Sequence, residues 1–114
     1  MRDLQERTKM FALRIIRLYA SLPKTTEAQV LGKQVLRSGT SIGAHYREAS
    51  RGKSTPDFVS KIEGSTQEAD ETCYWLELLI ESGIVSAERL QPLLDEAHQL
   101  LAILITVAKN AKNR

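Results

Sequence analysis

With 114 residues, the chain suggests a single domain that can bury a core without disulfide staples. Aromatic residues make up only 5% of it and β-branched runs are short, which argues against an all-β domain. Net charge is +2, but residues 1–61 carry twelve Lys/Arg against five Asp/Glu, while residues 62–114 carry four against nine. The halves are therefore +7 and −5. Such a field steers a polyanion or a complementary copy to one face, or it simply makes basic and acidic helices neighbours. The lone Cys73 can form no internal disulfide, and no apolar run approaches the roughly 20 residues of a membrane span. The opening MRDLQERTKMF is too charged for a secretory signal peptide, so a soluble cytoplasmic protein is expected.

The first segment runs from about residue 3 to 22. Leu4, Phe11, Ile15, Leu18 and Leu22 form an apolar stripe at helical spacing, with Arg7, Lys9, Arg14 and Arg17 off it. Pro23 ends it. A second helix is expected over 26–50, where Thr26 and Gln29 have the spacing of a capping box. Its stripe is Leu31, Val35, Ser38, Ile42, His45 and Ala49. Gly32, Gly39 and Gly43 interrupt it; each interior glycine costs roughly 0.5–1 kcal/mol relative to alanine, so a packing reason is expected.

The joint RGKST offers Gly52 and a cap at Ser54 or Thr55, followed by Pro56. The third segment, 56–82, carries Phe58, Ile62, Ala69, Cys73, Leu76 and Ile80 on one side and stops near Gly83. Ser86 caps the fourth, 86–111, whose stripe is Leu90, Leu94, Ala97, Leu101, Leu104 and Ala108. Pro92 is expected to set a short first turn apart from the main helix. Four amphipathic helices on short joints make an all-α, antiparallel up-down four-helix bundle, one domain over 1–114.

The run LRSGTSIGAHYREASRGKSTPDFVSKIEGSTQEADETCYWLELL (36–79) carries a further signal. It resembles the pattern L-R-x-x-x-S-I-x-A-N-x-x-E-A, a joint, D/E-F-x-x-K, and E-A-x-E-T-x-Y-W-L-x-L-L. Leu36, Arg37, Ser41, Ile42, Ala44, Glu48 and Ala49 meet the first part; Phe58 and Lys61 meet the second. Glu68, Ala69, Glu71, Thr72, Tyr74, Trp75 and Leu76 meet the third. This is similar to the "four helix bundle protein" family, whose members are also labelled 23S rRNA intervening-sequence proteins. The resemblance implies a ring- or barrel-like homo-oligomer, commonly a pentamer, with no catalytic residues assigned; no cofactor is expected. One branch includes the accessory variability determinant of diversity-generating retroelements, which works with a reverse transcriptase and nucleic acid. The chain departs at His45, where the pattern has asparagine; the second ring nitrogen then needs a partner.

Ser41, His45 and Glu48 lie one helical turn apart and invite a catalytic reading. A straight helix supplies neither an exposed elbow nor oxyanion donors, so a buried polar network is expected instead, with Arg37, Glu68 and Glu71 as partners. Asp95-x-x-His98 and His45-x-x-Glu48 resemble half of a carboxylate-bridged metal site, but Asp95 and His98 flank their stripe, and no metal is expected. Cys73 has no second thiol at a zinc-ligand spacing.

Basic residues remain: Arg47, Arg51 and Lys53 near the joint, Lys61 on the next helix, and Arg14 and Arg17 on the first. They are candidate contacts to RNA or DNA with weak sequence preference, since only Tyr46 lies near for stacking. Gly39, Gly43 and Tyr46 mark a close-packing face of helix two, toward helix three or a second protomer. Tyr74 and Trp75 are either interface or core residues. The expectation is a non-enzymatic homo-oligomeric accessory or scaffold protein associated with nucleic acid. The alternative is a protein-interaction scaffold with no such role, and a carboxylate-bridged metal enzyme is the third reading.

Overall fold

Three helices start at a hydroxyl residue whose side chain takes up an N–H that the helix leaves unpaired. The computed structural model describes residues 2–113; Met1 and Arg114 lie outside the described residues. Helix α1 spans Arg2–Ser21, α2 Thr26–Ser50, α3 Thr55–Glu81 and α4 Ala87–Lys112. Thr25, Ser54 and Ser86 cap the last three, accepting from Ala28 N, Asp57 N and Arg89 N at 3.2–3.3 Å. The cap of α2 is therefore one residue earlier than the Thr26–Gln29 box would place it. Gln29 turns back instead: its amide donates to Pro23 O (2.8 Å) and its side-chain oxygen accepts from Tyr19 OH (3.1 Å). That clips the α1–α2 joint.

Gly83 stops α3 with φ +80°, a left-handed conformation that a Cβ disfavours. Pro92 does not divide α4, which runs unbroken. The bond it forgoes would go to Glu88, and both residues are exposed, so water can serve that first-turn carbonyl.

Consecutive helices pack antiparallel into a four-helix bundle of 47 × 20 × 19 Å, with α1 and α4 touching far less than the other neighbours. Leu4, Phe11, Ile15, Leu18 and Leu22 are all buried, as are Val35, Ile42, Ile62, Leu76, Leu100 and Leu104. The glycine face of α2 meets α1 of the same chain, rather than α3 or a second protomer. A Cβ on Gly39 would stand 2.8 Å from Ile15 Cγ1, and one on Gly43 3.0 Å from Thr8 Oγ1. The missing side chains let the two helix backbones approach, which is the packing reason these positions require.

Candidate nucleic-acid interface

Because Gly43 lies against Thr8, the start of α1 runs beside the end of α2. Their outer sides enclose an open groove of about 480 Å³. Lys9 lines it from α1, and Arg47 and Arg51 from the end of α2. All three are exposed, and none forms an ion pair with a described residue. Glu48 also borders the groove, but its carboxylate is drawn toward α3, 3.5 Å from Lys61 Nζ and 3.8 Å from His45 Nδ1. Glu6 borders a shallow extension with Lys9 and Arg47.

The six basic candidates thus do not form one patch. Arg47 and Arg51 share the groove with Lys9, which sequence reasoning placed off the stripe without giving it a role. Arg14 and Arg17 lie on the seam between α1 and α4, beside Arg89. Lys61 is tied to Glu48, and Lys53 sits exposed at the joint, its backbone N–H donating to Asp57 Oδ2 (3.3 Å). Tyr46 is buried (6% exposed), so no base can stack on it.

Comparison with known proteins agrees with this architecture. The family described as 23S rRNA-intervening sequence protein matches residues 3–106, from the start of α1 into the last turns of α4. The chain belongs to that family. A protein of unknown function from the S23 ribosomal protein family, from Bacteroides thetaiotaomicron VPI-5482, has a similar solved structure. The two are 39% identical, with a TM-score of 0.87 over 93% of this chain and 98% of that one. No curated protein matches the chain.

In this member of the 23S rRNA-intervening sequence family, the polar network lies on the α2–α3 surface rather than in the core. Arg37 bridges Glu68 (3.2 Å) and Glu71 (2.6 Å), which raises its pKa, chiefly through the bond to Glu71. His45 stands between two carboxylates, Glu48 at 3.8 Å from Nδ1 and Glu68 at 3.7 Å from Nε2, and its ring covers Gly64. The expected burial fails because His45 sits at the rim of its stripe, with about a third of its side chain exposed. Ser41 stands outside the network; its hydroxyl donates to Arg37 O on its own helix (2.7 Å).

The buried polar lock is formed by other residues. Ser38 and Thr72 share a hydroxyl–hydroxyl bond of 2.9 Å, and Ser65 donates to Ile42 O at 2.7 Å, all three fully buried. Their signal was present in the sequence: small hydroxyl residues at core positions of α2 and α3. Of the aromatic pair, Tyr74 is exposed and meets half-buried Trp75 edge to face at 5.1 Å; Trp75 Nε1 is buried with no hydrogen-bond partner among the described residues. On α4, Asp95 accepts from Gln91 (2.9 Å), and His98 faces Glu77 (3.8 Å) rather than His45. Among the described residues no three His, Cys, Asp or Glu side chains gather to hold a metal.

Proposed function

We propose that this protein is a non-enzymatic homo-oligomer that associates with RNA or DNA in the cytoplasm as an accessory or scaffold, gripping backbone phosphates with little sequence preference. The groove between α1 and α2 carries this reading: Lys9, Arg47 and Arg51 line it without an ion pair to any described residue, and the neighbouring carboxylate of Glu48 is engaged by Lys61 and His45. Phosphate contacts fix a protein on nucleic acid without reading bases, and the burial of Tyr46 removes the one stacking platform nearby. A non-enzymatic role is supported by Ser41, whose proton is committed to its own helix instead of a base.

Self-association is supported by the exposed apolar side chains Met10, Leu13 and Ile16 on α1 and Tyr74 on α3. A five-membered ring, the state implied by the family resemblance, would multiply the groove and so the affinity for a polyanion. The same apolar side chains favour the second reading, a protein-interaction scaffold with no nucleic-acid role. Size-exclusion with light scattering and dual-wavelength absorbance tests both parts. The proposal expects a mass several times that of one chain and nucleic acid co-eluting at low salt. A monomer free of nucleic acid would sink it, and an oligomer carrying only protein would favour the scaffold reading.

A further inference from the structure

Among the described residues, four cations pair with carboxylates of a neighbouring helix. Arg7 is forked onto Glu96, Arg37 bridges Glu68 and Glu71, Lys61 meets Glu48 and Lys112 meets Glu63. Besides the α1–α2 groove, a second place departs from this pattern. Toward the end of α1, a second cleft of about 280 Å³ opens on the seam with α4, lined by Arg14, Arg17 and Arg89 around Leu18, Leu90 and Leu93. No carboxylate lines it, and none of the three arginines forms an ion pair with a described residue. Arg89 is held across the seam by a 2.7 Å bond from Nη2 to Ser21 Oγ, a neutral acceptor that aims the guanidinium without cancelling its charge.

We infer that this cleft binds a phosphomonoester. Three guanidiniums line one hollow that no carboxylate lines, and a dianion there would take the forked hydrogen bonds that arginine offers to phosphate oxygens. The three leucines are nearly fully buried and give the cleft an apolar floor. A base or sugar attached to the phosphate would rest there, whereas a bare inorganic ion would not use it. The cleft is slightly smaller than the usual small-molecule pocket, so it suits one nucleotide unit at most rather than a length of strand. It is separate from the α1–α2 groove: α1 presents Lys9 to one and Arg14 and Arg17 to the other. The chemistry fits either a free nucleoside monophosphate or the phosphorylated 5′ end of a strand. The second source rests on the nucleic-acid reading above, and the first does not.

The test compares adenosine 5′-monophosphate with one oligonucleotide bearing either a 5′-phosphate or a 5′-hydroxyl, titrated into the full chain by calorimetry or fluorescence anisotropy. The variants are Arg89→Gln, which keeps a donor for Ser21, and Arg14→Gln/Arg17→Gln, all at accessible positions where helix content by circular dichroism should not change. The phosphorylated strand should bind at least tenfold tighter than its hydroxyl twin, and both variants should abolish that difference while leaving the twin's affinity within about twofold. Binding of the mononucleotide alone, lost in the same variants, supports the cleft and leaves only the nucleic-acid reading to fail. Equal affinity for the two strands together with no mononucleotide binding overturns the inference. So does a loss in the variants that is the same for both strands.

Discussion

Arg7 on α1 and Glu96 on α4 meet in a forked ion pair, Nε to Oε2 at 3.1 Å and Nη2 to Oε1 at 2.7 Å. The pair bridges the seam where the bundle has least helix-to-helix contact, so geometry matters more here than the modest energy of a half-exposed pair. Replacing Arg7 by alanine should lower stability by only about 1 kcal/mol. Amide exchange in α1 should nevertheless accelerate while α2 and α3 stay protected. Arg7→Lys should restore little of that protection, because an ammonium cannot make the fork. Hydrogen-exchange mass spectrometry reads this directly; faster exchange spread evenly over all four helices would argue against a local role.

The two kinds of glycine in the bundle should respond oppositely to substitution. Gly39→Val would push a β-branched side chain into Ile15, itself fully buried, and should destabilise by about 1–3 kcal/mol. Gly64 has room: a Cβ there would stand 3.4 Å from its nearest neighbour, the His45 ring. Gly64→Ala should therefore stabilise by about 0.5–1 kcal/mol through helix propensity alone. Urea unfolding of both variants checks the pair.

Much of this fold was legible because helix stripes and caps are local signals. Phe11, Ile15 and Leu18 announce α1 within eight residues, and Pro23, Pro56 and Gly83 sit where helices begin or end. What sequence could not assign was which helix fills a gap. The Gly39 and Gly43 face requires a close neighbour, but nothing local distinguishes α1 from α3 or another chain. Arg7 and Glu96 are 89 positions apart and invisible to any helical wheel. The polar network was half legible for a different reason. Spacing alone put Ser41, His45 and Glu48 on one side of α2, yet a few tens of degrees decide between core and rim. Ser38, at a stripe position, proved to be the buried hydroxyl and His45 the rim residue.

Cys73 should be chemically silent in the folded protein. Burial, with Asp70 and Glu77 adding negative charge nearby, pushes its thiol up to about 11, so the reactive thiolate is scarce until strongly alkaline pH. Ellman's reagent at pH 8 should find no thiol in the native protein and one per chain in denaturant. Rapid native labelling would mean that α3 opens far more readily than its burial implies.

Leu13 and Ile16 on α1 are 39% and 46% exposed, within reach of a partner yet outside the core. If this surface joins copies, Leu13→Glu/Ile16→Glu should reduce the light-scattering mass to that of one chain while helix content stays unchanged. An intact oligomer would move the interface elsewhere, with the exposed Tyr74 on α3 as the next place to substitute.

A grip of Lys9, Arg47 and Arg51 on phosphates must show in the salt dependence of binding. Each neutralised phosphate releases counter-ions, so the three contacts of one groove give a log–log slope of affinity against salt of about −2 to −3, and a steeper one where a strand spans the grooves of several copies. Titrations of structured RNA and duplex DNA between low and physiological salt should show that slope with little difference among sequences. The Lys9→Gln/Arg47→Gln/Arg51→Gln protein should lose at least tenfold in affinity at low salt, and its slope should flatten toward zero. Absence of binding at low salt, or a triple variant with an unchanged slope, would contradict the account.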